Sequence, residues 1–138
     1  MENEKVKILT IKDILNKKEE CKKRKETKYA YVYSEFLGGA LKAHSLNKGD
    51  RNDVRERMKE DAEKGVNFFI YISIDKLQDE ELLKGFGCTK GKEQTIVDAL
   101  FNDAEKGKIV DKLSELNGWD NFSDTDIMLY DVNELEGE

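Results

Sequence analysis

Cys21, Cys88 and His44 are the residues of this sequence whose types could carry nucleophilic or metal chemistry. A metal site of the Cys and His type usually needs about four converging ligands, and closely spaced cysteine pairs are absent from the chain. No feature of the local sequence would activate the thiolate of a Cys88–His44 dyad. We therefore expect two free thiols, a structural Cys88 in the interior, an outward-facing His44, and no catalytic or metal site.

The segment "GFGCTKGKE", from Gly85 to Glu93, invites comparison with a phosphate-binding loop. The P-loop motif has the form G-x-x-x-x-G-K-S/T. Five residues separate Gly85 from Gly91, and Glu93 stands at the hydroxyl position, where its carboxylate would repel phosphate. Lys90 stands at the third glycine position of the dinucleotide fingerprint. We expect no nucleotide cofactor, and the sequence predicts no other cofactor.

The sequence ends in an acidic segment. From Asp120 to Glu138 it has seven Asp and Glu residues and no Lys or Arg. Subtracting their charge of −7 from the net charge of −6 leaves residues 1–119 at +1. The segment lacks the central glycine and the closing glutamate of an EF-hand loop at the required offsets. We interpret residues 120–138 as a solvated, flexible acidic tail.

A basic stripe, Lys17–Lys28, carries seven Lys and Arg residues against three Glu residues. It lacks interleaved aromatic residues and any nucleic-acid motif, so no nucleic-acid partner is expected. The stripe is typical of a solvated helix end, where basic residues complement the helix dipole. As an alternative, the stripe and the acidic tail are the docking surfaces of a small cytosolic adaptor or regulatory domain.

The length of 138 residues fits one domain with its own core, which we assign to residues 1–119. No apolar run approaches the roughly 18 residues that span a bilayer. The start, "MENEKVKILTIKD", lacks the apolar stretch of a signal peptide. These features predict a cytoplasmic protein without a membrane partner.

A β-hairpin is predicted at about residues 28–46. Tyrosines alternate with smaller residues from Tyr29 to Ser34, and this period of two favours a strand. A similar run follows Gly38-Gly39, and paired glycines reach the positive φ values of tight turns. Helical patterns occupy most of the other segments. The predicted fold class is therefore α+β, with mainly short α-helices and one N-terminal antiparallel β-hairpin.

Capping residues and glycines predict the bounds of the helices. Thr10 and Asp13 have the spacing of a capping box, for a helix that fades into charge near Lys25. A glycine commonly ends a helix, so the charged segment Asp50–Gly65 is predicted to end at its last residue. The remaining predicted helices are Glu80–Lys84 capped by Asp79, a helix containing Ile96–Phe101 that Gly107 breaks or caps, and one containing Ile109–Leu116 that ends at Asn117-Gly118.

The apolar stretch Val66–Asp75, "VNFFIYISID", gives a divided answer. Its β-branched and aromatic residues favour a strand by propensity. Apolar or small residues nevertheless recur with helical spacing at Phe69, Ile70, Ser73, Ile74 and Leu77. Propensity alone predicts a strand. We assign the stretch mostly to the core.

The order of these segments resembles that of the XkdN-like tail assembly chaperones of contractile-tailed phages and of phage-like particles such as R-type bacteriocins. The matching segments are "FIYISI", "LQDEELLKGFGC" and "IVDALFNDAEKGKIVDKLSELNG". They lie within about Glu35 to Gly118, which is most of the predicted domain. Members of the family often carry prolines near the first and last of these segments, and this chain has none.

The resemblance implies a non-enzymatic protein that coats the tape-measure protein of a bacteriophage or prophage tail. Such chaperones help to recruit tail tube subunits and are absent from the finished particle. The resemblance also implies that this chain is a short form beside a longer frameshifted form, and it favours a helix for Val66–Ile74. A weak homo-oligomer through the hairpin edge is a further expectation.

Partner-binding residues are expected where large apolar side chains reach the surface. A partner's amphipathic helix needs an apolar groove with charge around it. Two candidates, Phe68 and Tyr71, belong to the apolar stretch. The others lie in or beside the acidic tail and are Trp119, Phe122, Ile127, Met128, Leu129 and Tyr130. As an alternative, the tail residues fold back onto the domain.

Overall fold

The computed structural model describes residues 6–119 and 131–136. These residues form two compact units, one of residues 6–26 and 131–136 and the other of residues 27–119. The fold class is α+β, as predicted, but the hairpin is not N-terminal because two helices precede it. The elements are α1 Ile11–Leu15, α2 Lys18–Arg24, β1 Tyr29–Ser34, β2 Gly39–His44, α3 Lys48–Glu60, α4 Ala62–Ser73, α5 Glu80–Gly85, α6 Ile96–Leu100, α7 Asp103–Leu116 and α8 Val132–Glu136, with 3₁₀ turns at Asp75–Gln78 and Glu93–Thr95.

The smaller unit contains α1, α2 and α8. Thr10 Oγ1 accepts a hydrogen bond from Asp13 N at 3.1 Å, and Asp13 Oδ2 accepts one from Thr10 N at 2.9 Å, which confirms the capping box. The single helix predicted to fade near Lys25 is instead two helices, since the chain turns at residues 16–17. Neither α1 nor α2 has a buried residue, so capping hydrogen bonds and local charges stabilise these two helices.

The hairpin is confirmed, and its two faces differ in exposure. Tyr29 pairs with His44 and Ser34 with Gly39, so a four-residue turn joins the strands, with Gly38 at φ 82°. The inner face carries Ala30, Val32, Ser34, Leu41 and Ala43, which are buried or half-buried. The tyrosines of β1 lie on the other face, exposed to solvent, as the period of two requires.

Gly65 was predicted to end a helix, and this prediction is wrong. The preceding helix, α3, ends at Glu60. Asp61 Oδ1 then accepts a hydrogen bond from Glu63 N at 3.1 Å and so caps the start of α4. Gly65 lies inside α4 and faces Met58 of α3. A Cβ atom at this position would stand 2.6 Å from Met58 Cα. The glycine is therefore needed for close helix packing rather than for a cap.

Residues Val66–Ser73 of the apolar stretch lie in α4, at the centre of the larger unit, and Ile74 caps the end of this helix. The residues with helical spacing, including Leu77 in the 3₁₀ turn that follows, are 0–1% exposed, namely Phe69, Ile70, Ser73, Ile74 and Leu77. The strand predicted from propensity is wrong, and the helix favoured by residue spacing and by the family resemblance is right for Val66–Ser73. Burial outweighs the weak strand preference of β-branched residues, because packing contributes more than propensity.

The last two helices of the larger unit are confirmed, but their boundary lies elsewhere than predicted. The break falls at Asn102, and Gly107 lies inside α7. Asn102 Oδ1 accepts a hydrogen bond from Glu105 N at 2.8 Å, and Glu105 Oε1 accepts one from Asn102 N at 2.8 Å. This reciprocal pair is a capping box, which fixes the start of α7 four residues before the glycine is reached.

Two predicted helix ends agree with the structure. Asp79 Oδ1 accepts a hydrogen bond from Leu82 N at 3.0 Å and begins α5. Asn117 ends α7, followed by Gly118 at φ 78°. Asn117 also joins α7 to the segment after the hairpin, because its Oδ1 accepts a hydrogen bond from Leu46 N at 2.8 Å. This contact fixes the hairpin against the C-terminal end of α7.

Candidate partner-binding surface

Phe68 and Trp119, two predicted partner-binding residues, are half-buried and packed against the core. The Arg57 guanidinium lies 3.8 Å from the centre of the Phe68 ring. The Trp119 ring lies 5.4 Å from the Phe69 ring, with the Arg55 guanidinium 5.4 Å from its centre. Both aromatics are therefore covered in part by arginine, and only their remaining edges face solvent.

Tyr71 is also half-buried against the core. Burial raises the pKa of its phenol above the ordinary value of 10.0, and the charges of Glu93 and Cys88 raise it further. Its environment is that of a core-lining residue with one accessible edge. The five other candidates, Phe122, Ile127, Met128, Leu129 and Tyr130, lie outside the described residues.

The most exposed aromatic residues of the larger unit are ones that the sequence interpretation did not select. Tyr29, Tyr31 and Tyr33 are 61–66% exposed on the outer face of β1, which we call the aromatic face. Phe36, in the turn that follows, is 84% exposed. The signal was present in the alternation of "YAYVYS", which was used only to predict the strand. Exposed tyrosines in a row are typical of interaction surfaces.

A groove of about 340 Å³ runs between β1 and α7. Its apolar part is formed by Val32, Phe101 and Ile109. Its other lining residues are Tyr31, Tyr33, Ser34, Glu35, Glu105, Lys108 and Lys112. The groove is thus apolar at its base and charged along its rim, and it opens directly beside the aromatic face.

A buried lysine joins α4 to α7 below a second groove. Lys106 is 5% exposed, and its Nζ donates hydrogen bonds to Asp98 Oδ1 at 2.5 Å and to Asn67 Oδ1 at 3.1 Å. Asn67 Nδ2 donates to Asp98 Oδ2 at 2.9 Å, which closes the network. Glu63 Oε2 and Asp103 Oδ1 lie 3.7 and 3.9 Å from Nζ.

The charges around Lys106 decide its pKa. Burial by itself would lower the pKa of the ammonium group. The hydrogen bond to Asp98 and the carboxylates of Asp98, Glu63 and Asp103 more than offset burial, so the pKa lies above its ordinary value of 10.5. The lysine is therefore charged at neutral pH and serves as a structural link between helices. Lys106 lies three residues before Ile109, on the buried side of α7, and this spacing was the sequence signal of its burial.

The sequence interpretation expected an outward-facing His44. Its imidazole is instead mostly covered and contacts two oxygen atoms. Its Nδ1 lies 2.9 Å from Ser45 O and its Nε2 lies 2.9 Å from Asp75 Oδ1. Both ring nitrogens are thus engaged by oxygen atoms, which leaves neither available for a thiol in this arrangement. Cys21 is exposed and Cys88 half-buried, and both are free thiols. Residues 6–119 and 131–136 contain no cluster of His, Cys, Asp and Glu suited to a metal ion.

The described chain is an α+β protein in which an exposed aromatic face adjoins a charged groove. None of its described helices combines the length and the apolar character needed to cross a membrane. Comparison of the sequence with protein-family models, with curated proteins and with solved structures found no match.

Proposed function

We propose that this protein is a tail assembly chaperone of the phage type, which binds the tape-measure protein while a contractile tail is built. In this proposal it acts in the cytoplasm of the bacterial host and transforms no substrate. Tail tube subunits are further partners, and a longer frameshifted form of the chain shares its role. The tail belongs to a phage, a prophage or a phage-like particle.

The observation that carries the proposal is the aromatic face. Three tyrosines with more than half of their surface exposed lie in a row on a strand whose opposite face packs on α7. Tyrosines of this kind supply large contact areas at a small entropy cost, because each has few rotatable bonds. An unassembled tape-measure protein presents apolar helical stripes, for which such a face is a suitable partner.

The family resemblance gives a second support. It implied a helix for Val66–Ile74, against the strand preference of these residues, and α4 covers Val66–Ser73. The same helix buries Phe69 and Ile70, so the apolar stretch serves the core. The surface offered to a partner must then be sought elsewhere, and the aromatic face is the largest exposed aromatic group among the described residues of the larger unit.

The test is co-expression with a fragment of the tape-measure protein encoded in the same tail gene cluster. We expect the wild-type chain to bring this fragment into the soluble fraction and to co-purify with it. A Tyr29→Thr, Tyr33→Thr double variant keeps the strand propensity of both positions and removes two aromatic rings. Because interface aromatics contribute about 1–2 kcal/mol each or more, its affinity should fall at least about tenfold.

Phe86→Ser is the matched control for this experiment. Phe86 is 50% exposed and follows α5, outside the aromatic face. The control should solubilise the fragment as the wild type does. A wild-type chain that neither binds nor solubilises the fragment would refute the proposal. Equal loss in the control and in the double variant would show that the aromatic face is not the site.

The adaptor alternative is favoured by one observation. The helix α2 is exposed along its whole length and carries Lys18, Lys22, Lys23 and Arg24. A docking surface of this kind binds acidic partners through charge, so its affinity falls steeply as salt rises. The chaperone proposal predicts binding that survives about 0.5 M salt, because apolar contacts are not screened. Binding to an acidic partner that is lost at this salt concentration would favour the adaptor.

A further inference from the structure

We propose that the open edge of β1 binds an extended peptide as a third strand, seated in the groove between β1 and α7. The peptide has alternating apolar residues, a basic residue at one end and an acidic residue at the other. This strand-addition site adjoins the aromatic face, with which it shares Tyr31 and Tyr33, and it does not depend on the chaperone role. It concerns backbone groups of β1, whereas the aromatic face concerns its side chains.

The register of the hairpin shows which backbone groups are open. Ser45 N donates a hydrogen bond to Lys28 O at 2.8 Å, so this pair belongs to the hydrogen-bonded class of an antiparallel ladder. Such pairs alternate along the ladder, which places Ala30 and Val32 in the same class. Tyr29, Tyr31 and Tyr33 alternate with these residues. Their N–H and C=O groups therefore point away from β2, toward the outer edge of β1.

No strand covers that edge in the described part of the chain, since the sheet has two strands only. Open edges of this kind are sites of strand addition, and proteins normally protect them with charges, bulges or covering elements. Within the described residues, β1 pairs with β2 without a bulge, and Tyr29–Tyr33 itself carries no charged residue. The groove runs along this edge, and α7 forms its opposite wall.

The base of the groove determines which side chains a bound strand presents. A strand paired with β1 has alternate residues on the inner and outer faces of the extended sheet. Its inner residues would meet Val32, Phe101 and Ile109, so they must be apolar. Its outer residues would lie beside Tyr31 and Tyr33 and face solvent. An alternating sequence satisfies both faces.

The rim of the groove is polarised. Glu105 also lines a neighbouring depression that contains Phe36, so the acidic end, Glu35 with Glu105, lies toward the hairpin turn. Lys112 lies seven residues further along α7, about 10 Å away at 1.5 Å per residue, with Lys108 between. This length matches about three residues of an extended strand. A peptide with a basic residue toward the turn and an acidic residue near the lysines is complementary to it.

A second copy of the chain is a poorer occupant than a free peptide. The inner face of β1 is covered by α7 of the same chain. A β1 strand from a second copy would bring its own α7 on its inner face, into the space that the first α7 occupies beside the groove. A peptide without an attached helix avoids this overlap. The expected weak homo-oligomer through the hairpin edge is accordingly an outcome that the experiment must distinguish.

The test uses the full-length protein labelled with ¹⁵N and the blocked nonapeptide TVRVTVDVT as the probe. Its valines alternate with polar residues, so every valine can face the base of the groove. Its arginine and aspartate are four residues apart, about 13 Å in an extended strand, which is close to the length of the charged rim. We expect saturable shifts of the Tyr29, Tyr31 and Tyr33 amide signals, because their N–H groups become hydrogen-bond donors. The Val32 amide, already paired with Leu41, should shift less. Two analogues, N-methylated on the threonines or on the valines, separate strand pairing from nonspecific contact.

The analogue methylated on the threonines should lose binding and the other should keep it, because the arginine of the probe lies toward the turn only in the antiparallel orientation. Methylated threonines prevent antiparallel pairing and methylated valines prevent parallel pairing, because the two ladders use opposite sets of N–H groups. Lys108→Glu should weaken binding about two- to fivefold, as expected for a rim charge. Lys64→Glu, an exposed lysine on α4 that does not line the groove, is the matched control.

Three outcomes would overturn the proposal. One is the absence of saturable shifts at the tyrosine amides with about millimolar peptide, a concentration at which even weak sites are occupied. Another is equal binding by both methylated analogues. The third is a shift of the same amides with protein concentration alone, which would assign the edge to a second copy.

Discussion

Gly65 of α4 lies against the backbone of Met58 in α3, so close that a Cβ atom would stand 2.7 Å from Met58 N. The two helices are joined by the single residue Asp61, which ends one and caps the other. With so short a connection, they can pack only if one of them lacks a side chain at the contact. The glycine is therefore part of the helix pair rather than a helix terminator.

Replacement of Gly65 by alanine should destabilise the protein by about 2 kcal/mol or more, because backbone atoms must move to accept the methyl group. The measurement is urea unfolding followed by circular dichroism. Gly107→Ala is the matched control. Gly107 is also inside a helix, but a Cβ atom at this position would meet no neighbouring atom within 4 Å. That variant should be stabilised by about 0.5–1 kcal/mol. Similar effects of the two substitutions would contradict the close packing.

Replacement of Lys106 by methionine should lower the free energy of unfolding by about 1–3 kcal/mol. The reason is that the buried Asn67 Oδ1 no longer accepts a hydrogen bond from Lys106 Nζ. The loss stays moderate because the Asp98 side chain is 48% exposed and remains hydrated. Lys108→Met, two positions along the same helix and exposed, should change stability by less than about 0.5 kcal/mol. A Lys106→Met variant as stable as wild type would show that the network contributes nothing net.

The contribution of Lys106 should depend on pH in the alkaline range. Its pKa is raised above 10.5 in the folded protein, so the stabilisation is fully present below about pH 10.5 and is lost as pH rises through the folded pKa. The difference in unfolding free energy between wild type and Lys106→Met should be constant near neutral pH and shrink above about pH 10.5. Both proteins share the other titrating groups, including Tyr71. A difference that grows with pH would contradict the sign.

Replacement of Ser73 by alanine should leave stability unchanged or raise it by up to about 1 kcal/mol. Its buried Oγ has no hydrogen-bond partner among the described residues, so removing it removes only an unsatisfied group. Ser34→Ala is the matched opposite case. Ser34 Oγ accepts a hydrogen bond from Leu37 N at 3.0 Å, and its loss should cost about 1 kcal/mol. Thermal unfolding of both variants in parallel tests the contrast.

Local features of the fold were predictable from the sequence. The Thr10–Asp13 capping box, the hairpin and the ends of α7 at Asn117-Gly118 depend on contacts between residues close in the chain. Their backbone conformations are set by capping oxygens, alternation and glycine, which are readable without knowledge of the rest of the molecule. The interpretation of Gly107 as a boundary failed because the capping box at Asn102 competes with it locally and was overlooked.

The candidate surface was predictable only in part. Phe68, Tyr71 and Trp119 were selected because they are large and apolar, but the core and neighbouring arginines cover much of each. The tyrosines of β1 were visible in the alternation, yet their exposure depends on which hairpin face meets α7. The groove beside them could not be predicted, because its walls come from segments about 70 residues apart in the chain.

The sequence by itself determined the hairpin, the short capped helices and the concentration of apolar residues in Val66–Ile74. Only the tertiary structure decided that this stretch is a helix, that Gly65 is a packing contact and that Lys106 is buried. The physical reason is the range of the interactions. Caps and turns are satisfied within a few residues, whereas burial depends on what distant segments place on the other side.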